Sequence, residues 1–226
     1  MILHIETAVE GASICLAQEQ QLIAFKQNKD IKDSAAWLHH AIQALFQENS
    51  IPLQQTQAIA VSAGPGSYTG LRVGMATAKG LCYALQVPLI TLGTLEIMAA
   101  AAKEVSTALL CPMIDARRME VFTAVYNKDG QTVVAPHNLI LEANSFANIL
   151  EKKSITFFGN GSIKWKQQTS SPNAHFADIE YSAKNMIELA AASYDRKAFT
   201  DLAYSEPHYL KEFFTTQIPQ SIQKKC

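Results

Sequence analysis

The chain has 226 residues, 48% hydrophobic and 17% charged, with a net charge of −1 at pH 7. That length fits one large domain or two small ones with a sizeable core. A near-neutral chain without a basic block lacks the positive face with which proteins grip nucleic acid unaided. No apolar run is long enough to span a bilayer, and "MILHIETAVEG" has no basic region ahead of a long apolar stretch, so no signal peptide is expected. The four cysteines, Cys15, Cys82, Cys111 and Cys226, form no Cys-x-x-Cys pair. They are expected as free thiols in a cytoplasmic protein.

In chain order, "MILHIET" reads as a buried strand, and "ASICLAQ" and "QLIAFKQ" complete a meander. Asp33 or Ser34 can cap a helix with Ala36, Trp37, His40, Ala41, Ala44 and Leu45 on one face, ending before Pro52. "AIAVSAG" is the next strand. A glycine-rich turn leads into a second helix, with Thr69 as cap and Leu71, Met75, Ala78, Cys82 and Leu85 on one face. "PLITLGT" reads as a strand, and Thr94 opens a third helix, "LEIMAAAAKEV". This half reads βββαβαβα.

The remainder repeats that order more loosely. "ALLCPMIDA", "EVFTAVYN" and "TVVAPHNLIL" are strand-like, "NSFANILEKK" helical, "ITFFGNG" a strand and "SAKNMIELAAASYDRKAF" a helix, and Pro207 and Pro219 mark an irregular tail. Two such halves, residues 1–105 and 106–226, predict a two-lobed α/β protein with mixed sheets.

"VSAGPGSYTGLRVGMATAKGL" holds five of the ten glycines. A P-loop needs Gly-x-x-x-x-Gly-Lys-Ser/Thr, which fails from Gly64, Gly66 and Gly70 alike, and Lys79 lies too deep in the helix. A dinucleotide fingerprint needs its third glycine where Thr69 stands. An anion site at the helix N-terminus and a plain tight turn remain open. Gly70, Gly74 and Ala78 recur every fourth residue, a row that lets another helix backbone approach closely, in this chain or another.

Read with "MILHIETA", "PLITLGTLE", "MIDARRMEVFTAVY" and "EPHYLK" (206–211), the run "GPGSYTGLRVGMATAKGL" closely resembles the TsaB family, also called YeaZ-like and formerly glycoprotease-like, over nearly the whole chain. The resemblance implies the duplicated actin-like, Hsp70-like (ASKHA) fold. It also implies a non-catalytic subunit that partners a TsaD-like catalytic paralogue and a TsaE-like ATPase. Together these form N6-threonylcarbamoyladenosine at position 37 of tRNAs reading ANN codons, with tRNA met only through the complex and no membrane involved. It further implies that the first two helices bind the TsaD-like subunit, or a second copy when the chain is alone. The contact would then involve Trp37, His40, Ala41, Ala44, Gly70, Leu71, Gly74, Met75 and Ala78.

The residues themselves agree with a non-catalytic role and with no cofactor. Glu6 and Thr7 follow the first strand where a fold of this kind holds magnesium and phosphate, but bulky Val9 and Glu10 occupy the turn before Gly11. In the second half Asp115 is followed by Arg117 and Arg118, which are expected on opposite faces of a strand, one of them lining the cleft. Glu6, Thr7, Asp115 and Arg117 thus mark a vestigial nucleotide or anion cleft. None of the six histidines forms a His-x-x-x-His pair, so no metal site of that type is expected. Ser67 lacks the Gly-x-Ser-x-Gly elbow of a serine nucleophile. Trp37 and Trp165 read as core or interface anchors, and "GNGS" (159–162) weakly resembles a nucleoside-side turn. The competing readings are a nucleotide-dependent ATPase or phosphotransferase of the same fold and, further off, a peptidase.

Overall fold

The computed structural model describes residues 1–9, 11–30 and 34–210. The expectations on Glu10, Asp33, Lys211, Pro219 and Cys226 lie outside the described residues.

The first half folds as β1 (Ile2–Glu6), β2 (Ala12–Gln18), β3 (Gln21–Asn28), α1 (Ser34–Glu48), β4 (Ala58–Ser62), α2 (Tyr68–Leu85), β5 (Leu89–Leu92) and α3 (Thr94–Ala101). The second half folds as β6 (Leu109–Asp115), β7 (Glu120–Asn127), β8 (Thr132–Ile140), α4 (Ala147–Leu150), β9 (Ile155–Phe158), α5 (Ser162–Lys166), β10 (Ala174–Phe176) and α6 (Ile187–Asp195). The five-residue α5 and three-residue β10, invisible in the periodicity, complete a full second copy of the same element order.

The sheet orders match as well: β3-β2-β1-β4-β5 and β8-β7-β6-β9-β10. In each, a three-strand antiparallel meander is extended by two parallel strands joined through helical crossovers. The inner strands are covered on both faces, so β1, β4 and β6 read as near-continuous apolar runs.

One face of the first sheet packs on α1 and α2 through Leu38, Leu45, Met75 and Cys82. Its other face receives α6 and the turn before it, where Ala190 and Met186 join Cys15, Ala60 and Ile90 in one cluster. Conversely, Leu95, Met98 and Ala102 of the α3 region pack on the second sheet against Leu110, Ile114 and Phe158. The two halves therefore exchange their last helices. Lys103 and Glu188 pair where these helices meet.

The chain then returns to the first lobe. Thr200 bridges Leu89, the His208 amide donates to the Ala63 carbonyl at 2.6 Å, and Lys79 Nζ donates to the carbonyls of Ala203 and Ser205 at 3.2 and 3.0 Å.

Several side chains depart from expectation. The buried stripe of α1 is Leu38, Ala41, Ile42, Leu45 and Phe46. His40 is exposed, with Nδ1 3.2 Å from the Ala36 carbonyl, while Trp37 and Ala44 are half-buried at the stripe's edge. The buried face is rotated from the expected one because polar His40 turns to solvent while Ile42 and Phe46 turn inward. Ser67, not Thr69, caps α2, accepting from the Gly70 amide at 3.3 Å. Arg117 and Arg118 sit in the β6–β7 turn with φ of 69° and 49°, both exposed, and not on a strand. Trp165, by contrast, is the core anchor expected of it, fully buried in the second core with its ring 5.7 Å from that of Phe146 and 6.0 Å from that of Phe157.

Candidate functional site

β1 and β6 occupy equivalent central positions, and each ends on a carboxylate facing the groove between the lobes. Glu6 Oε1 accepts from the Ala8 amide at 2.6 Å, and Asp115 Oδ1 accepts from the Arg117 amide at 2.6 Å. The same local turn, carboxylate to the amide two residues on, closes both strands. Their electrostatics differ. Asp115 is half in solvent and paired with Lys164 at 2.5 Å. Against its modest desolvation, Lys164 and the Arg117 amide hold its carboxyl below the usual range. Glu6 is 5% exposed, and burial pushes its carboxyl up to about 7, opposed by the Ala8 amide, Ser62 and Tyr181. Glu6 Oε2 has no hydrogen bond of good geometry, and among the described residues no salt bridge reaches it.

Val9, just past Glu6, packs into the interlobe cluster of Met98, Ile114 and Phe158. It divides the groove. On the Glu6 side lies a cleft of ≈ 810 Å³ reaching Gly159, Phe176 and Tyr181. On the other lies one of ≈ 400 Å³ bounded by Ser67, Thr69, Asp115 and Arg117. The four residues expected to mark the groove are thus split: Glu6 lines the larger cleft, and Asp115 and Arg117 the smaller. Thr7 is buried behind both, its hydroxyl donating to the Gly70 carbonyl at 2.8 Å.

That contact accounts for the glycine row. A β-carbon on Gly66 would stand 2.2 Å from the Ala8 carbonyl oxygen, on Gly70 2.0 Å from the Thr7 carbonyl oxygen, and on Gly74 2.3 Å from Thr7 Oγ1. The close approach expected of another helix is made instead by the end of β1 in the same chain. Leu71, Met75, Ala78 and Ala41 are likewise buried in this chain's own core, so they support a surface from beneath and do not form it. In "GNGS", Gly159 with φ of 87° lies against the Met113 carbonyl and Gly161 against Val121, so packing explains both.

The surface that α2 does present carries a second small-residue row. Ala76, Gly80 and Ala84 are all exposed, and a β-carbon on Gly80 would meet nothing within 4 Å. Tyr83, 73% exposed, flanks the row on α2, while Trp37 and Ala44 lie half-buried on neighbouring α1. An apolar groove of ≈ 540 Å³ adjoins it, lined by Ile42, Phe46, Ile51, Leu53 and Leu81. The four-residue spacing of this row was in the sequence. Spacing alone does not tell an inward row from an outward one; burial does.

Among the described residues, no three of His, Cys, Asp and Glu stand together as metal ligands do, and no helix is long and apolar enough to cross a membrane.

A duplicated βββαβαβα chain with matched mixed sheets and exchanged last helices is a two-lobed, actin-like protein. The profile of the family described as "TsaD: tRNA N6-adenosine threonylcarbamoyltransferase" matches residues 28–222. The chain is 32% identical to the Bacillus subtilis tRNA threonylcarbamoyladenosine biosynthesis protein TsaB over 74% of this chain and 73% of that one. It is 27% identical to the Escherichia coli protein of the same name over 93% and 94%. The structure of YeaZ from Pseudomonas aeruginosa superposes with a TM-score of 0.79 at 24% identity, covering 92% of this chain and 99% of that one. The chain belongs to the TsaB (YeaZ-like) family, within the wider TsaD domain family.

Proposed function

We propose that this chain is a non-catalytic subunit in tRNA threonylcarbamoyladenosine biosynthesis, acting by binding a TsaD-like catalytic paralogue through the outer face of α1 and α2. The observation that carries the reading is the exposed row Ala76, Gly80 and Ala84 beside an apolar groove. A bare helical surface of small residues lets a partner helix come to backbone contact, and the groove gives its larger side chains a seat. The same face would serve a second copy when the paralogue is absent. A TsaE-like ATPase and the tRNA are met through the assembled complex, since a chain of net charge −1 has little electrostatic grip on RNA of its own.

The groove between the lobes supports the non-catalytic part. Phosphoryl chemistry needs open backbone amides and a metal-holding carboxylate facing one continuous cavity. Here Val9 stands between the two carboxylates, Glu6 is desolvated, and Asp115 is paired with Lys164.

The test is co-purification with the TsaD-like subunit of the same organism, followed by a tRNA modification assay with and without this chain. Stable association and a strict requirement for the chain are expected. Modification that proceeds equally well without the chain would sink the proposal.

A further inference from the structure

We propose that the cleft on the Glu6 side of Val9 binds a small organic cation bearing a primary amine or guanidinium, with the Glu6 carboxylate as its counter-ion and Phe176 and Tyr181 as aromatic walls. Three observations carry this. First, the cleft ends on a carboxyl group that is more than nine-tenths buried and is met by neutral donors, the Ala8 amide with the Ser62 and Tyr181 hydroxyls, while among the described residues no salt bridge reaches it. A buried carboxylate without a counter-ion is costly, and a cation delivered through the open side of the cleft supplies that counter-ion.

Second, the charge around the cleft has the sign for a cation. Lys29 and Glu180 pair at 2.8 Å and cancel, which leaves Glu6 and Asp178 against Lys166, whose Nζ lies 5.9 Å from the Phe176 ring centroid. A phosphate would meet an excess of carboxylates. Third, part of the wall is apolar and aromatic, Phe176 and Tyr181 joined by Met98 and Ile179, beside the polar Ser13, Gln27, Asn160 and Ser162. Ring faces attract organic cations, the more so out of water. A volume of ≈ 810 Å³ holds a molecule of metabolite size.

Because Glu6 must ionise to act as counter-ion, binding strengthens as pH rises through about 7, where burial has placed its carboxyl. The other titratable groups facing the cleft are Tyr181 beside Glu6, and Lys29, Lys166, Asp178 and Glu180 further out. The site is separate from the α1–α2 face, so it stands or falls independently of the partner reading.

The experiment uses the full chain with methionine methyl groups labelled for NMR. Met98 lines the cleft with its methyl against Gly159 and serves as reporter. The probe is agmatine, whose short chain carries an amine and a guanidinium. Parallel titrations use magnesium ATP and inorganic phosphate. The expected result is a saturable Met98 shift with agmatine only, about tenfold weaker binding at pH 6 than at pH 8 for a group titrating near 7, at least tenfold weaker binding in Glu6→Gln, and a few-fold loss in Asp178→Asn. Asp178 is exposed, so its variant keeps the test decisive should Glu6→Gln fail to fold. No saturable shift with agmatine, a shift with ATP instead, or agmatine affinity indifferent to both substitutions and to pH overturns the proposal.

Discussion

The side chain of Thr7 fills the space that a β-carbon on Gly74 would occupy: such an atom would lie 2.3 Å from the Thr7 hydroxyl oxygen. Thr7 is held there by its bond to the Gly70 carbonyl at 2.8 Å. Gly70 and Gly74 of α2 are thus the half-socket into which the end of β1 fits, and that fit places Glu6 at the groove.

Gly74→Ala should therefore destabilise the chain. Helix propensity alone favours alanine by about 0.8–1 kcal/mol. Forcing a methyl into a filled core costs about 1–3 kcal/mol and outweighs it. A net loss of about 1 kcal/mol lowers the melting temperature by about 2–4 °C for a chain of this size. Thr7→Ala in the same molecule removes the clashing oxygen, so the double substitution should cost less than the sum of the two singles. Calorimetry on the four proteins checks this. Strict additivity would show that Thr7 and Gly74 do not restrain one another.

Gly80→Leu is the complementary case. Its side chain has open space in the isolated chain, and leucine is the better helix former by under about 1 kcal/mol. The folded chain should hold or gain stability while affinity for the TsaD-like subunit, or for a second copy, falls at least tenfold. A pull-down titration beside a thermal melt reads both. Unchanged affinity would remove α2's outer face from the interface. Gly74→Leu cannot make this distinction, because it disturbs the core first.

Lys79 ties the returning segment to α2 through the carbonyls of Ala203 and Ser205. Lys79→Met keeps the stem and deletes the donor. Hydrogen bonds from charged groups contribute about 1.5–3 kcal/mol when buried and less at a half-exposed site such as this one. The expected outcome is faster amide exchange confined to residues about 200–208, with a global loss of about 1 kcal/mol. Exchange as slow as in the unsubstituted chain would show that the bridge at Thr200 and the His208 amide hold the segment alone.

The fold was legible wherever a pattern was long. The βββαβαβα order of the first half came from the apolar runs of β1 and β4 and the spacing along α2. Short elements escaped: α5 and β10 offer five and three residues to a periodicity that needs about eleven. The exchange of α3 and α6 escaped too, because amphipathicity says that a helix has a sheet to cover but not which one. At the site, the residue types at Glu6, Thr7, Val9 and Asp115 were readable from the turns after β1 and β6. What spacing could not supply was direction. Gly74 and Gly80 are both glycines on one helix, and only the position of Thr7 makes one a core residue and the other a surface residue.

The two ionisable side chains of β1 make opposite demands on pH. Burial lowers His4 to about 4 from 6.5, with Nδ1 3.4 Å from the Cys15 carbonyl, and raises Glu6 from 4.5 to about 7. Between about pH 4 and 6.5 the unfolded chain takes up His4's proton more readily than the folded chain, so this residue makes stability fall as pH falls. Between about 4.5 and 7 the folded chain holds Glu6's proton more tightly, so this residue makes stability fall as pH rises. Each displacement corresponds to on the order of 3 kcal/mol, and the windows overlap, so the unsubstituted chain should show little net slope from these two groups between pH 4.5 and 6.5. Glu6→Gln leaves the His4 effect bare: its stability should climb by about 2–3 kcal/mol from pH 4.5 to 6.5. His4→Gln, whose amide still donates to the Cys15 carbonyl, should decline by a similar amount over the same interval. Urea unfolding at half-unit pH steps on the three proteins reads the slopes directly. Parallel profiles for all three would mean that neither side chain is as desolvated as its position on β1 requires.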